Sequence, residues 1–301
     1  MSETTQSTAF ARPSAPVASA RPGPAKAGPA KAGPAKAGSA RRRYRNHWWY
    51  RLISPIALVL IWQLVSSAGV VSAQKLPPPT TVWRTAVNLV TQNSPAYGTL
   101  QGAMLVSLQR MAIGFGVGAA AAIVFALIAG LSRLGENAVD PPLQILRTLP
   151  LFGLVPVFIV WFGIGELPKT ILIALGAGIP LYLNMFAGIR SVDAKLVEAA
   201  QTLKLSRTEL IRHVILPGAL PQTLVGLRQS LGLAWLALVV AEQVNANAGL
   251  GFMISQATQF LNLNVILVAL AVYALLGLIT DAIVRLLERK ALAWRRGLLE
   301  S

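Results

Sequence analysis

The sequence has no cysteine, only two histidines (His47 and His213), and 11 acidic residues against 27 basic ones in a chain of 301. Without cysteine there is no disulfide framework and no thiolate metal site, and two distant histidines do not make a metal centre. No GxxxxGK[ST] stretch occurs, so the chain lacks the glycine-rich loop and lysine that cradle nucleotide phosphates. Charge is scarce altogether: 13% of residues are charged and 54% hydrophobic, about half the charged fraction of an ordinary soluble chain. That balance points to an integral membrane protein. The net charge of +16 does not indicate nucleic acid, because the basic residues stand in blocks beside apolar runs rather than along one amphipathic face.

What the chain has instead is long apolar runs. A helix needs about 20 mostly apolar residues to cross roughly 30 Å of hydrocarbon. Six stretches meet that rule, at about 52–71, 107–131, 144–163, 169–189, 218–241 and 264–286. The third contains Pro150 and Pro156, which remove backbone donors and predict a kink or break in its early turns. In the second, Gly114 and Gly118 are spaced for helix packing, and the GFGVG run that holds them is no dinucleotide fingerprint because it lies inside an apolar span. Between the first two spans, Pro77–Pro79 start a turn, and Val82, Ala86 and Leu89 follow at helical spacing beside Trp83, predicting an interfacial helix.

Residues 1–46 are rich in Ala, Gly, Pro and Lys and repeat GPAKA three times, with Lys26, Lys31 and Lys36 at five-residue spacing. Such a segment cannot bury a core and reads as a disordered basic tail, with weak attraction to anionic membrane lipid as a second reading. The membrane domain then covers 47–296, with a short tail at 297–301. Basic residues around Arg41–Arg51, Arg133, Arg147, Arg190–Arg212 and Arg285–Arg296 all fall on one side of a six-span arrangement, which the positive-inside bias assigns to the cytoplasm together with both termini. The opposite loops hold chiefly Lys75, Arg84 and Lys169.

A charged, helix-prone insert at 190–217, in which the stretch EAAQTLKLSRTELIRHVILPGALP starts at Glu198 and runs on to Pro221, separates the fourth and fifth apolar runs and must lie outside the bilayer, where a soluble partner can grip it. Its glutamate, two alanines and later leucine-proline resemble the cytoplasmic EAA loop of the transmembrane subunits of bacterial ABC importers, matched by Glu198, Ala199, Ala200, Leu216 and Pro217. Lys204 departs from the pattern, standing where that family usually has glycine, and resists the expected turn unless its backbone is ordinary. Val214 replaces a common isoleucine. The stretches SLQRMAIGFGVG, QILRTLPLFGLVPVFIVWFGIGE, HVILPGALP, GLRQSLGLAWLALVVAEQVNANAGLGF and YALLGLITDAIVRLLER extend the resemblance over about residues 52–296, nearest to permeases for aliphatic sulfonates within the group that also carries taurine and nitrate.

The resemblance implies an all-α, six-helix type I importer permease with a cytoplasmic coupling loop, placed in the bacterial inner membrane. It implies no cofactor on this chain, ATP and magnesium on two separate ATP-binding subunits, an extracytoplasmic substrate-binding protein, and pairing of two copies as a homodimer. Taurine or nitrate remains the alternative cargo. A passive channel would carry flux without ATP, and a membrane enzyme would need converging acid, base or metal groups that these spans scarcely offer.

Charges inside apolar spans are costly and mark pathways or internal pairs. Arg228 is a candidate contact for an anionic solute, with a structural ion pair or a snorkelled side chain as the other reading. Its partner cannot be Glu242, fourteen residues and roughly 21 Å along the same helix. Asn245 and Asn247, near the outer end, are further pathway candidates, although a structural turn fits them equally. Glu242 itself reads as a helix-end or interface residue, because a carboxylate repels an anionic solute. Asp140 before Pro141 and Pro142 reads as a turn, and Asp281 with Arg285 as an i, i+4 salt bridge.

Overall fold

The structure, a computed structural model, describes residues 50–69 and 71–292. The tails read at 1–46 and 297–301 lie outside the described residues. All named elements are helical: α1 (Tyr50–Ser67), α2 (Pro79–Thr91), α3 (Leu100–Leu131), α4 (Arg133–Thr148), a 3₁₀ turn (Leu151–Leu154), α5 (Val155–Phe162), α6 (Glu166–Arg190), α7 (Ala194–Thr202), α8 (Arg207–Leu210), a π turn (Ile211–Ile215), α9 (Leu216–Asn245), α10 (Leu250–Gln259) and α11 (Leu263–Ala291).

α6 is the centre of the bundle, with α3 on one side and α9 on the other. Small residues let the backbones approach. A Cβ on Gly118 would lie 2.2 Å from the Ala174 carbonyl oxygen, and one on Gly114 would lie 2.6 Å from the Ile173 Cβ. Ala122, Ala126 and Ala129 continue the seam and are buried. Between membrane helices, where lipid is as apolar as a leucine core, association depends on this close van der Waals fit. Gly114 and Gly118 therefore do the packing expected of them, while Gly116 faces open space.

Four helices among the described residues are long and apolar enough to span a bilayer, and the pair α4 and α5 makes a fifth, bent by 95°. The remaining expected stretch, 52–71, holds the shorter helix α1. The apolar part of α1 is only Ile53–Ser67 before a turn at Gly69, whose φ of 70° suits glycine. These 15 residues form a shorter apolar helix than the other four. Its leucines and isoleucines are nevertheless exposed nearly all round, a surface suited to lipid.

The stretch 144–163 is broken, as its prolines predict. α4 begins at Arg133, so Asp140, Pro141 and Pro142 are helical rather than a turn. The two prolines deprive the Asn137 and Ala138 carbonyls of donors, and both residues are exposed, which spares a buried penalty. Asp140 instead accepts the Tyr182 hydroxyl of α6 at 3.0 Å and so ties α4 to the bundle. The break falls at Leu149 and Pro150, where extended backbone separates Thr148 from the 3₁₀ turn, and Pro156 opens α5. α2 behaves as its spacing predicts: Leu89 is buried, Val82 and Ala86 pack beside it, and Trp83 points away.

Candidate functional site

The insert at 190–217 folds into two helices and a sharp turn. Asp193 caps α7 by accepting the Lys195 amide, and Ser206 with Glu209 forms a reciprocal capping box at α8. Between them the chain closes through two bonds, Leu205 N–H to the Ala200 carbonyl and Lys204 N–H to that of Gln201. These are the bonds of a Schellman turn, whose pivot residue takes left-handed backbone. Lys204 occupies that pivot at φ 58°. The backbone is therefore not ordinary: the lysine adopts the conformation that glycine would hold without strain.

On α7, Ala200 is buried against the protein, whereas Leu196, Ala199 and Leu203 fall on one face and stay exposed, the two leucines at 57% and 75%. Glu198 is exposed at the edge of that strip. Leu216 and Pro217 lie outside the loop proper. α8, the π turn and α9 run on as one continuous helix from Arg207 to Val244, which contains an apolar window long enough to span. Pro217 has no N–H for the i−4 carbonyl, and just before it the ladder shifts: the Leu216 amide reaches back five residues to Ile211. α8 is thus joined to α9 without an intervening loop.

Arg228 is paired. Its Nε lies 3.1 Å from Asp281 Oδ1 and its Nη2 3.6 Å from Glu288, both on α11, while Asp281 also holds Arg285 at 3.0 Å. The partner that α9 could not offer comes from the last helix. The same side chain borders a space of about 480 Å³ between α9 and α11, so geometry favours the structural pair without removing Arg228 from a cavity wall. Asn245 ends α9 and Asn247 is exposed in the turn after it, neither of them near Arg228 in the helix register.

A polar centre sits at the end of the bundle opposite α7. Glu242 is fully buried. Its carboxylate accepts from Ser107 Oγ at 2.8 Å, Arg110 Nη1 at 2.8 Å, the Gly251 amide at 2.9 Å and the Tyr273 hydroxyl at 2.8 Å. Arg110 turns its other nitrogens to Glu166 in a two-pronged pair at 2.7 and 2.8 Å, and Glu166 also holds Lys169 at 2.9 Å. Ser107 in turn accepts the Leu250 amide. The anion therefore lies at the N-terminus of α10, where free amides and the helix dipole favour it.

Gly249 makes this approach possible: its φ is 117°, and a Cβ there would lie 2.4 Å from Glu242 Oε1. Glu242 does lie near the end of its helix, but it is enclosed within the chain rather than presented at an interface. Sequence reasoning tested it only against Arg228. The signal it passed over was a second lone cation, Arg110, inside an apolar run.

The third feature is a cavity of about 740 Å³ between α6, α9 and the broken segment 146–152. Leu149, Phe152, Leu183, Leu233 and Leu236 supply apolar walls, and Arg147, Asn184 and Gln229 supply polar atoms. The break in the α4–α5 pair lines this cavity through Leu149, Leu151 and Phe152. No group of three or more His, Cys, Asp or Glu residues suited to a metal occurs among the described residues.

Comparison with known proteins gives these features a context. The family model for the inner membrane component of binding-protein-dependent transport systems matches residues 118–292. A Bacillus subtilis (strain 168) protein named as an aliphatic sulfonates transport permease, SsuC, is 45% identical over 253 residues, covering 84% of this chain and 90% of the relative. The taurine transport system permease protein TauC of Escherichia coli (strain K12) is 34% identical over 237 residues, covering 79% and 86%. Among solved structures, an amino acid ABC transporter crystallised with histidines aligns with a TM-score of 0.53 and 18% identity, covering 62% of this chain and 92% of that one, a likeness of fold alone. The span of the family match and the extent of identity settle membership: the chain belongs to the membrane components of binding-protein-dependent ABC transport systems, a transport subunit and not an enzyme.

Proposed function

We propose that this chain is the permease subunit of an ATP-driven importer of aliphatic sulfonates, working as a homodimer in the bacterial inner membrane with both termini in the cytoplasm. The observation that carries the cargo is the 45% identity over most of both chains to a relative named for aliphatic sulfonates. Two ATP-binding subunits carry ATP and magnesium, and an extracytoplasmic protein delivers the solute. The exposed strip of Leu196, Ala199 and Leu203, edged by Glu198, suits a groove on each ATP-binding subunit: it is apolar, narrow, and built on a helix that is capped at both ends. Movement of α7 passes through α8 and the π turn into α9. Lys204 and Pro217 shape this route, and Arg228, Asn245 and Asn247 line or flank the solute path.

Growth on hexanesulfonate, taurine or sulfate as sole sulfur source, in a strain lacking this gene and in the same strain with the gene restored, tests the cargo. Loss confined to hexanesulfonate and rescued by the gene supports the reading. Loss on taurine alone moves the chain to the taurine branch, a second reading favoured by the 34% identity to a taurine permease. Normal growth on all three rejects sulfonate import as this chain's sole task.

A further inference from the structure

The cavity bordered by the broken span has an uneven chemistry. Arg147 is the one ionised side chain among its lining residues, and no hydrogen bond or ion pair engages it among the described residues. The carboxylates of the bundle are committed elsewhere: Glu166 and Glu242 to Arg110, Asp281 to Arg228 and Arg285, Glu136 to Arg190. An anion entering the cavity thus meets one uncompensated cation and no like charge on its wall.

A donor from the facing helix completes the polar part. Asn184 donates through Nδ2 to the Pro180 carbonyl at 2.8 Å and to Gln229 Oε1 at 2.9 Å, and accepts from Gln222 Nε2 at 2.9 Å. Because a carbonyl can only accept, the Pro180 bond fixes which end of the Asn184 amide is nitrogen, and this fixes Gln229 with its oxygen toward Asn184. The Gln229 amide nitrogen keeps its two N–H donors. The remaining wall is hydrocarbon, with Leu149, Phe152, Leu233 and Leu236 each between 41% and 54% exposed within the unpaired protomer. The volume falls within the roughly 300–1,000 Å³ usual for small-molecule sites.

We infer that this cavity is the alkanesulfonate subsite of the permease, with Arg147 and the Gln229 amide holding the sulfonate group and the Leu149, Phe152, Leu233 and Leu236 wall holding the alkyl tail. The inference rests on the sulfonate reading above. A guanidinium offers planar, paired donors that match sulfonate oxygens. The wall has no carboxylate to balance an ammonium group, so an unsubstituted alkyl tail is favoured over the ω-amino tail of taurine. Arg147, rather than the ion-paired Arg228, becomes the anion contact.

The test is uptake of radiolabelled hexanesulfonate and ethanesulfonate by cells carrying the full chain with its partner subunits, at matched membrane levels and with copurification of the ATP-binding subunit as an assembly check. Arg147→Ala lowers uptake of both solutes by about tenfold or more, and Arg147→Lys, which keeps the charge but loses the paired planar donors, lowers it less than Arg147→Ala does. Phe152→Asn and Leu236→Asn each lower the hexanesulfonate-to-ethanesulfonate rate ratio by about threefold or more, and because that ratio is internal to each variant it does not depend on how much protein is inserted. Parental uptake by Arg147→Ala, or unchanged ratios in both wall variants, overturns the subsite. Failure of the parent chain to take up either sulfonate overturns the cargo reading itself, so the two failures are distinct.

Discussion

Glu242 is enclosed by Ser107, Arg110, Tyr273 and the first amides of α10, so replacing it by leucine removes the anion and leaves those donors facing hydrocarbon. Removing one partner of a buried pair costs more than the pair is worth, because the other charge stays buried. Arg110 keeps Glu166, which limits the damage. Glu242→Leu is expected to destabilise the detergent-solubilised protein by about 3 kcal/mol, read from thermal unfolding, and the double change Arg110→Leu with Glu242→Leu to recover part of that loss. Parental stability of the single variant would refute the role given to this carboxylate. Arg228 is a different kind of charge: half exposed, paired with two acids of α11, and open to a cavity.

The elements differ in how they are held. The α3–α6 seam relies on absent side chains, so a bulky residue at Gly118 meets backbone that cannot yield. Gly118→Leu is expected to cost about 3 kcal/mol or to block assembly, whereas Gly116→Leu, pointing into open space, leaves stability within about 0.5 kcal/mol. Unfolding of the two variants side by side checks the contrast. Between α7 and α8 the constraint is backbone strain at Lys204. Lys204→Gly relieves the left-handed cost but frees the unfolded chain, giving a net gain of up to about 1 kcal/mol in the turn. Slower hydrogen exchange at the Lys204 and Leu205 amides, with uptake retained, is the expected result; faster exchange would contradict the turn assignment.

At the scale of the whole molecule, two contrasting features lie at opposite ends of one bundle: the enclosed polar network around Glu242 at one end and the exposed apolar strip of α7 at the other. The first fixes helices to each other, and the second is free to meet a partner. Glu198→Arg reverses the charge beside the strip without touching the core, so the chain should insert and fold while sulfonate uptake falls by about tenfold or more and copurification with the ATP-binding subunit weakens. Full uptake with full copurification would mean that α7 is not the coupling element. The cavity at 146–152 lies between these ends, bordered by α6 and by the same α9 that α8 continues into, so a displacement at α7 has a direct mechanical path to it.

Sequence alone determined that this is a helical membrane chain and where most of its apolar helices run, because length and hydropathy are local properties of a one-dimensional pattern. It also marked Gly114 and Gly118 as packing sites and Pro150 as a break, since small side chains and missing donors act wherever they stand. Only the tertiary structure decided the pairings. Arg110 with Glu242 are 132 positions apart and Arg228 with Asp281 are 53, and nothing in the spacing brings either pair together. The same is true of the helical state of Asp140–Pro142, held by Tyr182 from α6, of the left-handed Lys204, closed by bonds to Ala200 and Gln201, and of the cavity that makes Arg147 its single cation. Each depends on which helices become neighbours, and that is set by packing of whole surfaces rather than by any one residue.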